Sequence, residues 1–248
     1  MYYRYKDVKI LEKAITPYDF LKQMDILLIR HGESESNALR KKLKEEGKSL
    51  VEDLKIEDAT IKLTNLGEKQ AVELGKRLKG IIDEEHISKE NILVLISPYE
   101  RARQTFEIAN KYLKFDEEKD NIFVLNSLRE QFYGAFHMIS KDVKKIEYGK
   151  IYEECQRNKI SFYKPQFLGE SPAQVADRAY NVINFIKEYA KNSEINKVFV
   201  FAHGNINRCM LMNILNLPAE FYDDFEMSDN TSIIDIRNGK YNENFNRQ

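Results

Sequence analysis

The sequence predicts an α/β protein in three layers, a mostly parallel sheet with helices on both faces. Two observations carry that expectation. The segments 26–29, 91–96 and 197–202 carry, after a polar first residue in the last two, the continuous apolarity of strands buried on both sides. Between them lie longer segments whose apolar residues recur at helical spacing, and strand–helix alternation builds a parallel sheet covered on both faces. A third observation locates the chemistry. These runs end abruptly in Arg30-His31-Gly32, Ser97-Pro98 and His203-Gly204, and in open parallel sheets ligands bind outside the carboxyl ends of the strands.

Taken in order, residues 1–24 precede the first core strand and read as an appended arm or short helix. Strand one covers 25–29 and a helix covers 33–44. The Lys/Glu-rich stretch 45–58 reads as a mobile loop. Thr64 is placed to cap a helix with apolar positions Leu66, Val72, Leu74, Leu78 and Ile81. A second buried strand spans 91–96, and Pro98 suits the first turn of the helix that follows. Residues 122–125 form a third strand leading to Leu128-Arg129-Glu130. A polar helix at 141–157 lies within a helical lid insertion over 131–170. Residues 171–189 are a long amphipathic helix, capped by Ser171 with Pro172 in its first turn. Its apolar face is Val175, Ala179, Val182, Ile183 and Ile186. A fourth strand at 197–202, a helix at 205–215, a closing strand at 231–236 and a turn at Asn238-Gly239 complete the chain.

A length of 248 residues suits a single domain over 1–248. Lys+Arg total 39 and Asp+Glu 40, so no global field draws the chain to nucleic acid or an anionic membrane. Attraction for an anionic substrate has to be local. The two cysteines, Cys155 and Cys209, form no CxxC pair and read as packing residues in a reducing compartment. The charged start lacks the apolar core of a signal peptide, and no stretch nears the ~20 apolar residues of a membrane span. The expected setting is cytoplasmic. The four histidines lack ligand spacing, so no metal site is expected. His86, in a charged loop, reads as an exposed polar residue; His137, inside the insertion, either faces the substrate or is exposed polarity, and the second reading is favoured.

The strand ends make a coherent set. The planar fork of an arginine holds a phosphate through paired donors. A neighbouring histidine acts as base, nucleophile or ligand near neutral pH, and Gly32 lets the backbone approach a ligand closely. Arg30, His31, Arg101, Glu130 and His203 at one sheet edge would form a site that handles phosphoryl groups without a metal. Six segments occur in an order that resembles the histidine phosphatase superfamily, the phosphoglycerate mutase-like group. They are Arg30-His31-Gly32-Glu33-Ser34-Glu35-Ser36-Asn37, Leu63-Thr64-Asn65-Leu66-Gly67, Ser97 through Thr105, Leu128-Arg129-Glu130 with Gly134, Gly169-Glu170-Ser171, and Ala202-His203-Gly204-Asn205. The resemblance implies that His31 is the nucleophile and takes the phosphoryl group as a phosphohistidine. It implies that Arg30, Arg101 and His203 bind the phosphoryl oxygens, with His203 protonated beside such anions. Glu130 would protonate the leaving oxygen and then activate water, which needs burial or a bound phosphate beside it. Asn37, Tyr133, Lys141, Gly204 and Asn205 would contact the substrate.

The resembled family contains both phosphatases and cofactor-dependent mutases, and fold alone does not separate them. The segment between Glu130 and His203 is short for a mutase, and the chain has no Arg-Arg pair to grip a substrate carboxylate; Lys144-Lys145 is the nearest substitute. Lys141, Asn205 and Arg208 point toward the mutases. The balance favours a metal-independent phosphatase acting on a small phosphorylated metabolite, with no cofactor. A mutase would need priming by 2,3-bisphosphoglycerate. The remaining reading, a non-catalytic phospholigand-binding protein, predicts an eroded site, whereas all five central residues are present. A homodimer is compatible with the resembled family. The aromatics Phe132, Tyr133, Phe136, Phe162, Tyr163 and Phe167 either shape a leaving-group pocket or pack the insertion onto the sheet.

Overall fold

A computed structural model describes residues 15–46, 57–137, 139, 141–224 and 229–242. The six strands form one sheet in the order β3-β2-β4-β1-β5-β6. They are β1 (Asp25–Arg30), β2 (Ile92–Ile96), β3 (Asn121–Val124), β4 (Lys197–Ala202), β5 (Ile233–Arg237) and β6 (Lys240–Tyr241). The first four run parallel, and β5 and β6 are antiparallel additions at one edge. Asn238 and Gly239 turn β5 into β6 with φ values of 49° and 72°, the positive-φ geometry of a two-residue hairpin.

Successive strand residues point to opposite faces, so each apolar run supplies two layers of core. One face, with Ile26, Leu28, Leu95, Val198 and Val200, packs against α5 (Pro172–Ala190) and α6 (Gly204–Ile214). The other, with Leu27, Ile29, Val94, Phe199 and Phe201, packs against α2 (Asn65–Glu84) and α3 (Glu100–Leu113). The three-layer expectation therefore holds. Helix α1 (Glu35–Glu45) follows the first strand end, and α4 (Lys141–Gln156) lies in the 131–170 segment.

Local capping matches the sequence at two places. Thr64 accepts from the Gly67 amide, and Ser171 forms a reciprocal capping box with Gln174. Other expectations are corrected. Leu66 is exposed rather than on the buried face of α2. That face is instead built on Ala71, Leu74, Gly75 and Leu78, because α2 and α3 approach so closely that a Cβ on Gly75 would stand 2.8 Å from Ala109 Cα. Pro98 precedes the N-cap Tyr99 rather than sitting inside the first turn. The polar helix at 141–157 is broken at Gly149, where φ is 33° and ψ is −109°.

Residues 15–24 are part of the fold, not an appended arm. Ile15 bridges Lys240, and Leu21 and Met24 are buried in the core beneath α5 and α6. Residues 1–14, and with them most of the expected arm, lie outside the described residues. So do 47–56 of the expected loop at 45–58; beyond them, Asp58–Thr60 form a short 3-10 turn. No helix among the described residues is long and apolar enough to cross a membrane.

Candidate active site

The topology places the ends of β1, β4 and β2 side by side, since β4 pairs with both of the others. His31 continues the sheet by one bond, its amide donating to Ala202 O at 3.1 Å. Its own carbonyl receives the Thr231 amide and Asn230 Nδ2. The chain then turns at Gly32, whose amide is received by Thr105 Oγ1 at 3.0 Å. A Cβ on Gly32 would stand 2.5 Å from Gly67 O, and one on Gly67 would stand 2.1 Å from Glu33 O. The first strand end and the start of α2 thus meet backbone to backbone, which only two glycines permit.

The imidazole of His31 is buried and oriented. Its Nδ1 lies 2.7 Å from Gly32 O. A carbonyl only accepts, so Nδ1 carries the proton and the lone pair is on Nε2. That lone pair receives Arg101 Nε–H at 3.2 Å. Burial first, then the Arg101 and Arg30 charges, hold the ring well below the ordinary histidine range. His203, fully buried at the end of β4, lies with its ring centroid 5.1 Å from that of His31. Its Nε2 is 2.7 Å from Ser97 Oγ, while Nδ1 is buried without a hydrogen-bond partner among the described residues. Burial, Arg101, His31 and Arg30 push it far below the ordinary value as well. With no anion present, the site holds two neutral imidazoles among fixed positive charges.

The guanidinium of Arg101 sits over the Tyr99 ring at 5.0 Å and pairs with Asp58, Nη1 lying 3.2 Å from Oδ1 and donating to Asp58 O at 2.6 Å. Glu130 accepts from the Gln131 amide through Oε1 at 2.8 Å, and its Oε2 is 3.5 Å from the Asn205 amide. These groups border a small, partly open cleft lined by Arg30, His31, Ser36, Asn37, Arg40, Asp58, Arg101, Glu130, Tyr133 and His137. Gly204 opens α6 immediately behind His203, and a helix N-terminus favours negative charge nearby.

The structure thus brings Arg30, His31, Arg101 and Glu130 to one cleft, with the His203 ring packed edge-on against that of His31 and not itself among the lining residues. Asn37 also lines it; its Oδ1 is occupied by the Ser34 amide and Asn230, which leaves the amide hydrogens as what it can offer a ligand. Tyr133 lines it too, and burial followed by the Glu130 charge pushes its phenol strongly upward, so it remains a neutral donor. Three expected substrate contacts stand elsewhere. Lys141 is exposed at the start of α4 and does not line the cleft. Gly204 is buried behind His203. The Asn205 side chain is consumed internally: it donates to Gln131 Oε1 and Tyr133 Oη and accepts from Tyr222. The helix N-terminus turns that amide toward the protein, where it fixes Tyr133.

Among the described residues no cluster of three or more His, Cys, Asp or Glu has the arrangement of a metal site. His86 is exposed, as expected. His137 follows the less favoured of its two readings: it is half-buried and lines the cleft beside the Tyr133 ring. Cys155 and Cys209 are both buried in packing environments. Of the six aromatics singled out in the insertion, Tyr133 alone lines the cleft. Phe136 and Phe167 form a small core with Tyr148 and Tyr152, Phe162 packs on Tyr222, and Phe132 and Tyr163 are exposed. Sequence reasoning missed Asp58, Tyr99, Arg40 and Thr105. Their signals were faint, one residue each within charged or helical stretches, although Tyr99 and Thr105 fall inside a matched segment.

Fold and site together define an α/β protein of the phosphoglycerate mutase-like type, with a basic, histidine-bearing cleft at the carboxyl edge of its parallel strands. The chain belongs to the histidine phosphatase superfamily, branch 1, whose model matches residues 26–247. A phosphoglycerate mutase-like protein of Arabidopsis thaliana is 27% identical over a 234-residue alignment that covers 88% of this chain and 66% of that protein. The chain therefore spans about two thirds of that relative's length. Among solved structures, a mycobacterial glucosyl-3-phosphoglycerate phosphatase superposes with a TM-score of 0.61 at 18% identity, covering 86% of this chain and 89% of that one. The alpha-ribazole phosphatase of Shigella flexneri gives 0.63 at 21% identity, covering 86% and 90%. At these identities the likeness is one of fold.

Proposed function

We propose that this protein hydrolyses a small phosphomonoester through a phosphohistidine on His31, without a metal ion or other cofactor. One observation carries the reading: the Nδ1–Gly32 hydrogen bond of 2.7 Å leaves a neutral, oriented Nε2 lone pair at the end of β1, beside Arg101. That lone pair attacks phosphorus as the bond to the leaving oxygen breaks, and Glu130 gives its proton to that oxygen. Water then attacks the phosphohistidine. Glu130 takes the water's proton, the P–N bond breaks and its electron pair returns to Nε2. Arg30, Arg101 and His203 hold the three non-bridging oxygens, so positive charge is already in place where negative charge grows.

His203 changes state in this scheme. It is neutral in the empty site, and a bound phosphoryl dianion raises its pKa toward protonation. The setting is cytoplasmic, the ligand a small phosphorylated molecule, and nucleic acid and membranes are not partners; a homodimer is compatible with this reading. The phosphatase names among the structural neighbours support hydrolysis, and the Arabidopsis relative's name keeps mutase activity as the alternative outcome of the test. Lys141, one of the mutase-like features, stands away from the cleft and favours the phosphatase.

The test is phosphorus NMR of the protein with 3-phosphoglycerate, a trace of 2,3-bisphosphoglycerate and chelator, beside a panel of other phosphomonoesters. Inorganic phosphate is the expected product, with turnover reduced at least ~10³-fold in His31→Ala. Rapid formation of 2-phosphoglycerate would make this a mutase. Ligand binding without turnover or a phosphohistidine would leave a phospholigand-binding protein.

A further inference from the structure

The carboxyl group of Glu130 rides on an irregular segment after a 3-10 turn, Asn126–Leu128, with no regular element of its own to hold it. One buried side chain compensates. Arg178, on the inner face of α5, reaches this segment and uses all of its hydrogen-bond donors there. Its Nη1 donates to Ser127 O at 2.8 Å and to Arg129 O at 2.6 Å. Its Nη2 donates to Glu130 O at 3.0 Å and to Glu170 Oε2 at 3.0 Å, and Nε donates to Glu170 Oε1 at 2.9 Å. A guanidinium has five N–H donors in a fixed fork, and here five acceptors meet them.

Glu170 closes the clamp from the other side. Its carboxylate also receives Arg129 Nη2 at 2.9 Å and the Phe132 amide at 2.9 Å. Its backbone pairs with the same strip, the amide donating to Phe132 O at 2.7 Å and the carbonyl accepting from Gln131 Nε2 at 2.7 Å. Burial alone would raise the Glu170 carboxyl, but the bonds from Arg178 and Phe132 and the two arginine charges outweigh it and hold the group below the usual carboxylate range. The pair is therefore a charged, satisfied unit whose bonds converge on residues 127–132, the segment that carries Glu130 and Tyr133.

We propose that Arg178 and Glu170 are positioning residues for Glu130: they set the backbone from which its carboxyl group reaches the leaving oxygen. The inference rests on the proposed hydrolytic function. A purely structural ion pair would need one or two of these bonds, and it would have no reason to spread over the three carbonyls of Ser127, Arg129 and Glu130 itself. Lysine at 178 keeps the charge but offers three donors on one atom, so it cannot span Glu170 and the three carbonyls together.

The test compares kcat/KM for two esters of unequal leaving group. Departure of 4-nitrophenolate from 4-nitrophenyl phosphate needs little protonation, whereas departure of an alkoxide from glycerol 2-phosphate needs the acid. Arg178→Lys is expected to lower kcat/KM for the alkyl ester roughly 100-fold, the usual reach of general acid catalysis, and the aryl value less than about threefold. Glu130→Gln is expected to show the same discrimination, and adding Arg178→Lys to it should cost the alkyl ester nothing more. Glu170→Gln, which keeps the side-chain shape, provides a milder second variant with the same pattern. Equal losses on both esters, or a double variant whose losses multiply, would mean that the clamp only stabilises the fold. The wild type is the control for the underlying function. If it labels no histidine with either ester, the hydrolytic reading fails and this proposal with it; if it labels His31 while the variants lose both esters alike, only this proposal fails.

Discussion

At the scale of single residues, the site depends on a few atoms whose partners are other side chains. Among the described residues, Ser97 Oγ is the one hydrogen-bond partner of the His203 ring, whose Nδ1 is buried and unsatisfied there. Ser97→Ala leaves a second buried nitrogen without a partner. It should cost about 1–2 kcal/mol by urea denaturation and lower kcat/KM about tenfold through a misdirected imidazole. Asp58 works the opposite way, since its carboxylate lies against the guanidinium that the mechanism assigns to phosphate. Asp58→Asn removes that competing negative charge. Isothermal titration with inorganic phosphate should give roughly tenfold tighter binding at low salt, with the gain shrinking as salt screens it. Unchanged affinity would show that phosphate does not use Arg101. His31, His203, Arg30, Arg101 and Glu130 were legible in the sequence because each follows a recognisable strand or sits in a matched segment. Asp58 was not, because its contact with Arg101 bridges 43 positions from a charged stretch with no period of its own.

At the scale of elements, the strands were the most legible part of the chain and the helix ends came next. Four to six consecutive apolar residues leave a buried parallel strand as the simplest solution, and Thr64 and Ser171 announce α2 and α5 by their capping chemistry. Helix faces were harder to read. Hydrophobic spacing assigned Leu66 to the buried face, whereas the α2–α3 interface is set by how near two backbones come at Gly75 and Ala109. Close approach selects small residues, which a hydrophobicity pattern undervalues. The junction of the first strand end with α2 is built on the same rule. Gly67→Ala would drive a methyl group into the Glu33 backbone, 2.1 Å away, and separate the turn that carries His31 from its support. The expected cost is at least about 2 kcal/mol in chemical denaturation, with activity falling before global unfolding. An alanine variant of native stability would mean that this contact relaxes without moving the strand end.

At the scale of the whole molecule, the cost of protonating buried imidazoles beside arginines couples stability to pH. His31 and His203 have folded pKa values well below the ordinary ~6.5, and His137 is shifted in the same direction by burial. The unfolded chain therefore binds more protons than the folded one once pH falls below about 6.5. The stability these groups contribute is complete above that value and is lost as pH falls toward their folded values, at up to about 1.4 kcal/mol per pH unit for each fully shifted group. Thermal melts should show Tm falling between pH 7 and pH 5, above the usual carboxylate range. Phosphate should reduce that slope, because an anion beside His203 raises its folded pKa. A flat profile without phosphate would contradict the buried, neutral state of both rings.

By itself the sequence determined the three-layer fold, the polar strand ends, and an ordered set of segments sufficient for the family. Those features are local, or follow from the general rule that parallel strands present their carboxyl ends together. The tertiary structure alone decided which neighbours complete the site. It set Asp58 against Arg101, brought His137 into the cleft, left Lys141 outside it, turned Asn205 inward, and aimed Arg178 from α5 at the segment of Glu130. Each of these depends on the distance between elements far apart along the chain, and that distance is a property of packing, not of any segment's own composition.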